Sequence, residues 1–346
     1  MSGARDAVEG LVASAWRNAV GRVPASVDDD FFALGYTSLD ASALMAHLRE
    51  AVGRKVPLRV VFETPTIAGI ARQLRSADDG WRERYAYRLQ AGPAGGVPMV
   101  LAPGTSGTLG WISALADERL GRPVIGLVSR GSYAEAAPLQ TMPEIADHLL
   151  AALAAEGVTG PVHLVGSCVG GLASIEMAAR AGTYGLRAAS VTLLNGSFQP
   201  EQLTVAQRLQ HRLDDIRRMA GLPQLGEASD APAQEQIRQL FEQVVGSPRI
   251  VEATFDEFAA RVMVYVHNWH AAAQYQPHTV AVPLAVVYTA GDEDEVGLQQ
   301  WRALNPPRFH AQPVDGLAAS DVGRPEVIET LAALFSSYDE ELSRDV

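Results

Sequence analysis

Apolar residues recur at helical spacing from about Ala4 to Gly21 (Val8, Leu11, Val12, Ala15, Trp16, Val20), which predicts a first helix. A loop with the acidic run Asp28-Asp29-Asp30 follows, and a second helix is predicted to begin near Ser38, bury Leu39, Leu44, Met45 and Leu48, and stop near Gly53. Val56 to Leu74 reads as two short helices around Pro65, completing a small four-helix bundle over residues 1–76. Charges, Gly and Pro then make 77–96 a linker. Beyond it, over 97–340, the pattern changes. Strands are predicted at Met99–Ala102, Pro123–Val128, Val162–Val165, Ser190–Leu194, Leu284–Tyr288 and near Phe309–Val314. Helices alternate with them at Ile145–Ala155, Leu172–Ala181 and Glu326–Phe335. Such alternation predicts a mostly parallel sheet with helices on both faces. A helical stretch without strand signals, about 199–276, is expected to lie as a lid over the strand C-terminal ends.

Composition narrows the role. The 346 residues carry a formal charge of −12, which argues against nucleic-acid or membrane-surface partners. No run of about 18 apolar residues is present, and MSGARDAVEG lacks the apolar core of a signal peptide, so a cytoplasmic location is expected. The single cysteine, Cys168, excludes an internal disulfide and a multi-thiolate metal site, and no metal is expected.

That cysteine sits in Gly166-Ser167-Cys168-Val169-Gly170-Gly171, between a predicted strand and a predicted helix. The pattern is a nucleophile elbow, whose small residues permit a strained turn that lifts one side chain above the sheet. Cys168 has Gly at both −2 and +2, whereas Ser167 has Val165 and Val169, so Cys168 is the nucleophile position. The backbone N–H of Val169 is one expected oxyanion donor, and the second is a backbone N–H of the loop Gly104–Gly107, assigned to Thr105.

Two resemblances extend this reading. Asp29-Asp30-Phe31-Phe32, Leu34-Gly35-x-x-Ser38-Leu39 and Val61-Phe62-Glu63-Thr64-Pro65-Thr66 resemble the acyl- and peptidyl-carrier domains of polyketide and nonribosomal peptide synthases. The resemblance implies that Ser38 receives 4′-phosphopantetheine from a phosphopantetheinyl transferase, and that other synthase domains or carrier proteins are partners. A serine at a helix N-terminus suits a phosphodiester, although alone it would read as a helix cap. Thr37 stands where the family usually has Asp or His.

From Tyr87 to about Phe335 the chain resembles type I thioesterases of modular synthases, which implies an α/β-hydrolase fold. The stretches that carry this are Ala102-Pro103-Gly104-x-x-Gly107, Arg122-Pro123-Val124-x-Gly126-Leu127 and Gly160-Pro161-x-His163-Leu164-Val165-Gly166. That family uses a Ser–Asp–His triad. Here Cys168 replaces the serine, Asn195 falls at the acid position, and the histidine position, in Val314-Asp315-Gly316-Leu317-Ala318 ahead of Pro325, holds Ala318. A buried Asp without its His would be an uncompensated charge, which neutral Asn195 avoids. Cysteine depends less on a base than serine does, because a helix N-terminus can lower its pKa, whereas activating water does need a base.

Three readings follow. In the first, Cys168 takes an acyl or aminoacyl group by thioester exchange and passes it to another thiol or an amine, resisting water. In the second, the product is released by hydrolysis or cyclisation with a replacement base from the lid, where His267 and His270 could reach over the pocket. In the third, a non-catalytic domain binds and protects the carrier-bound intermediate. Cysteine-elbow relatives include aminoacyl shuttles and cyclases. His267 and His270 in the lid, His310 and Asp292 read as structural or solvent-facing, and His163 as core packing.

Overall fold

The computed structural model describes the chain except for residues 1–3, 32–33, 37, 54–55, 57–59, 62–63, 77–83, 94, 110–113, 133, 135, 196–201, 225–230, 246–253, 293–296, 316, 318–321 and 345–346. The chain divides into two compact units. The first comprises Met1–Glu83 with Ile216–Gln224 and Arg238–Phe258; the second comprises Arg84–Asp215, Leu225–Ile237 and Ala259–Val346.

In the first unit, helix α1 (Ala7–Val20) starts where the Asp6 carboxylate accepts from the N–H groups of Val8 and Glu9, and it stops at Gly21, which takes the left-handed conformation. Helices α2 (Ser38–Val52) and α3 (Ile67–Ser76) complete its main elements at the N-terminal end. The predicted apolar faces close on one another: Val12, Trp16, Leu44, Met45, Leu48, Ile67 and Ile70 are all buried in one cluster. Trp16 meets Phe31 edge-to-face at 4.7 Å between ring centroids. Of the short helix expected between α2 and α3, residues 60–61 are helical, and much of the rest lies outside the described residues.

The lid expectation requires a correction in grouping. Its helices form as predicted, at α6 (Val205–Met219), α7 (Ala233–Val244) and α8 (Phe255–Gln274). Part of this stretch nevertheless belongs to the first unit, where Arg49 of α2 and Glu257 make an ion pair at 3.0 Å.

The second unit is built on a seven-stranded sheet of order β1-β3-β2-β4-β5-β6-β7. Its strands are β1 (Ala86–Gln90), β2 (Met99–Leu101), β3 (Val124–Leu127), β4 (Gly160–Ser167), β5 (Leu186–Leu194), β6 (Leu284–Thr289) and β7 (Phe309–Val314). All pairings are parallel except β1 with β3. The antiparallel β1 lies inside the stretch expected to be linker, so the sheet begins earlier than predicted. A five-residue edge strand with Arg88 exposed carries too short an apolar run to be distinguished from a loop.

The central strands read as apolar runs because both faces are covered. On one face α4 (Met142–Ala155) and α5 (Val169–Arg180) bury Ile145, Leu149, Leu153, Leu172 and Ile175. On the other, α10 (Pro325–Arg344), which follows the short α9 (Leu298–Ala303), buries Val327, Ile328, Leu331 and Phe335. Between them β4 runs up the middle of the sheet and delivers the elbow at its C-terminal end.

Candidate functional site

Cys168 joins β4 to α5 with φ +52° and ψ −124°, a conformation that side-chain-bearing residues rarely adopt. The flanking glycines explain how the turn is tolerated. A Cβ at Gly166 would lie 2.2 Å from the Gly170 carbonyl carbon, and one at Gly170 would lie 2.8 Å from the carbonyl oxygens of Ala102 and Pro103. Strand, helix and the loop after β2 therefore meet backbone to backbone around the cysteine.

The Cys168 sulfur lies 3.2 Å from the Thr105 hydroxyl oxygen. Burial pushes the thiol up from its ordinary value, and hydrogen bonds from the Thr105 hydroxyl and the Val169 N–H oppose the rise. A helix N-terminus can lower a thiol, but at this position desolvation is the larger effect. Val169 and Thr105, the residues expected to line an oxyanion hole, both reach the Cys168 sulfur, Val169 through its backbone N–H. Thr105 does so through its side chain, a contact that sequence reasoning did not foresee.

Among the described residues no histidine bonds the sulfur. His267 and His270 each hold a buried Nδ1 without a partner, and burial together with His270 lowers His267. His310 lies on β7, and the Asp292 N–H donates to the Thr289 carbonyl in the turn after β6. His163 is fully buried, as its position on β4 suggested. Its Nε2–H donates to Asp339 Oδ1 at 3.0 Å, its Nδ1 accepts from the Ser190 hydroxyl at 2.8 Å, and its ring stacks on Phe335. Ala318 lies outside the described residues.

Asn195, expected at the acid position, follows β5 with φ +46° and uses its side chain completely. Its amide Nδ2 donates to the Leu317 carbonyl at 2.9 Å and to the Thr289 hydroxyl at 3.3 Å, while its Oδ1 accepts from the Thr289 N–H at 2.9 Å. The Thr289 hydroxyl also donates to the Leu317 carbonyl, at 2.7 Å. This amide ties the ends of β5 and β6 to the loop that leads to Ala318. A carboxylate could not donate to a carbonyl oxygen, so the amide suits the position.

Helix α8 lies against the same loop as the sulfur does, the one after β2. Asn268, 3% exposed, donates to the Thr105 carbonyl and to the Ser129 hydroxyl, each at 3.3 Å. One turn earlier, Tyr265 lies within electrostatic reach of Cys168, and the Arg212 guanidinium sits 4.4 Å from its ring. In the sequence Asn268 shows only as an amide between His267 and Trp269 on α8, with nothing to mark it as buried.

In the first unit Ser38 is the first residue of α2, and Gly35, at φ +87°, makes the turn before it. Thr37 and the Ser38 side chain lie outside the described residues. The helix start leaves N–H groups without intrahelical partners, a setting that fits a phosphodiester. No group of three or more metal-ligating side chains occurs among the described residues, and no described helix is long and apolar enough to cross a membrane.

Comparison with known proteins agrees with this anatomy. The chain is similar to indigoidine synthase of Streptomyces lavendulae, 34% identical over 175 residues that span 50% of this chain and 14% of that protein. It is also similar to a dimodular nonribosomal peptide synthase of Bacillus subtilis (strain 168), 29% identical over 171 residues, spanning 49% of this chain and 7% of that protein. The chain therefore corresponds to a small part of these relatives. Among solved structures, a four-domain nonribosomal peptide synthetase, holo-AB3403 bound to AMP and glycine, aligns with TM-score 0.61 at 20% identity, over 96% of this chain and 26% of that one. The Vlm2 thioesterase domain aligns with TM-score 0.52 at 18% identity, over 73% of this chain and 96% of that one. These two likenesses show the fold. A profile for a phosphopantetheine attachment site matches residues 10–74, and one for a thioesterase domain matches residues 110–334. The chain belongs to the thioesterase family, with a phosphopantetheine-bearing carrier region ahead of the thioesterase domain.

Proposed function

We propose that this chain acts in nonribosomal peptide or polyketide biosynthesis, with Cys168 accepting an acyl or aminoacyl group from a thioester and passing it to a thiol or amine. The observation that carries the reading is the environment of the sulfur: two hydrogen-bond donors, Thr105 and Val169, and no imidazole among the described residues.

The residues support the following chemistry. Cys168 gives up its proton to solvent and its sulfur bonds to the thioester carbonyl carbon. On this reading the Val169 N–H, at the start of α5, stabilises negative charge on the carbonyl oxygen. The carbon–sulfur bond to the departing thiolate breaks, and that thiolate takes a proton from solvent. One thioester replaces another, so the exchange is near balance. Hydrolysis would need a base to activate water, and the described residues around Cys168 offer none.

Ser38 is the proposed attachment position, at the start of α2. The phosphopantetheine group, once attached, supplies a thiol on a flexible arm that carries acyl groups as thioesters. A phosphopantetheinyl transferase and other synthase domains or carrier proteins are the proposed partners. The account requires a reduced Cys168, hence a reducing compartment such as the cytoplasm.

The burial that raises the thiol favours a second reading, in which the domain binds and protects a carrier-bound intermediate without a covalent step. Intact-mass analysis of the loaded protein, with Cys168→Ala alongside, separates the two. Acyl groups found on a second site only when Cys168 is present support transfer. Acyl groups confined to the carrier region in both proteins overturn it.

A further inference from the structure

The amide of Asn268 is almost fully buried on α8, where the neighbouring positions Val264, Val266, Ala271 and Ala272 are apolar and buried. Burying an amide is costly unless it is hydrogen-bonded, and a leucine would fill the same volume without that demand. The amide has a use: it donates both to the Thr105 carbonyl and to the Ser129 hydroxyl. The same helix touches the loop at a second point. Gly107 has φ +74°, and a Cβ there would fall 2.3 Å from the Val264 side chain. The loop is closed from the other side by the Gly107 carbonyl, which accepts from the Ser129 N–H at 2.8 Å and from the Ser132 hydroxyl at 3.2 Å. The residue clamped in this way is the one whose hydroxyl lies 3.2 Å from the sulfur.

We propose that Asn268 is a positioning residue for the nucleophile: by holding the Thr105 carbonyl it fixes the Thr105 hydroxyl as a donor to the Cys168 sulfur. A hydroxyl rotates freely, and it serves an anionic sulfur only while its backbone keeps it within reach. Asn268 and Thr105 therefore form a short relay from the lid helix to the elbow, so that α8 sets the reactivity of Cys168. This inference rests on Cys168 being the reactive sulfur, but its test does not require acyl transfer.

The test is the rate of alkylation by iodoacetamide, read by intact mass on the full chain across a pH series. Cys168 is the single cysteine, so every adduct reports on it. Thr105→Val is expected to slow alkylation about tenfold near neutral pH and to move the profile to higher pH, as loss of a hydrogen bond to a charged group predicts. Thr105→Ser keeps the hydroxyl and stays within about threefold of the parent. Asn268→Leu slows alkylation about three- to tenfold in the same direction, and the double variant Thr105→Val/Asn268→Leu matches Thr105→Val alone. An Asn268→Leu protein that alkylates like the parent, or effects that multiply in the double variant, overturns the relay. Should Asn268→Leu fail to fold, Asn268→Ala reads the same cycle. An intact cycle in a protein that transfers no acyl group would refute the proposed function while leaving the role of Asn268 standing.

Discussion

Placing at Asn195 the acid that the resemblance would expect there, by Asn195→Asp, should harm this protein and not revive hydrolysis. Asn195 donates from Nδ2 to the Leu317 carbonyl at 2.9 Å and to the Thr289 hydroxyl at 3.3 Å. An aspartate keeps the acceptor for the Thr289 N–H but sets a second oxygen against the Leu317 carbonyl. Leu317 retains its bond from the Thr289 hydroxyl, so the loss is the two bonds from Nδ2 plus an oxygen–oxygen repulsion in a half-buried site. Losing a donor to a buried acceptor costs about 1–3 kcal/mol, and with the repulsion we expect about 2–3 kcal/mol. For a unit of this size that corresponds to a melting temperature lower by about 4–12 °C. The loss should shrink as pH falls through the carboxyl range, because the variant's carboxyl group, once protonated, can again donate to Leu317. Differential scanning calorimetry over a pH series, with thioester hydrolysis followed in parallel, measures both halves. A variant as stable as the parent, or one that gains hydrolysis, would refute the assignment of Asn195 as a structural tie.

Other outcomes follow from the same geometry. Gly166→Ala should destabilise by more than about 3 kcal/mol, because its Cβ would lie 2.2 Å from the Gly170 backbone with nothing flexible to give way; chemical denaturation reads this. His163 has its pKa lowered by burial, against the pull of Asp339, so its contribution is present above its unfolded value of about 6.5 and is lost as pH falls through the folded value. Urea melts near neutral and mildly acidic pH should therefore differ less in His163→Leu than in the parent. Alkylation of Cys168 should keep accelerating beyond about pH 8.5, the value of a free thiol, since burial raises this one; a plateau below that pH would contradict the burial argument.

The sheet and the bundle were legible because their signals are local. Leu44, Met45 and Leu48 fall on one helical face, and β4 to β6 are apolar runs, since the parallel centre of a sheet is covered on both sides. The elbow was legible from Gly166 and Gly170, whose spacing is a steric requirement. Strand β1 was not: its five residues draw stability from pairing with β3, which no local pattern records. The grouping of Arg238–Phe258 with the N-terminal bundle was hidden for a similar reason, since the pairing of Arg49 with Glu257 spans 208 positions. The direction of the Cys168 pKa depends on how deeply the sulfur is buried, and a helix N-terminus in the sequence says nothing of that. Asn195 follows β5 where the sequence put it, but its partners Thr289 and Leu317 come from two later segments, so its bonding could not be read from Asn195 alone.

The most direct measurement is the fate of an acyl group once it resides on Cys168. Protein acylated there is transferred into plain buffer or into buffer with a small thiol or amine, and the acylated fraction is followed by mass over time. The account predicts persistence in buffer and prompt discharge onto the added acceptor. Equal, rapid loss in both solutions would mean that water is activated at this elbow, and the central claim would be wrong.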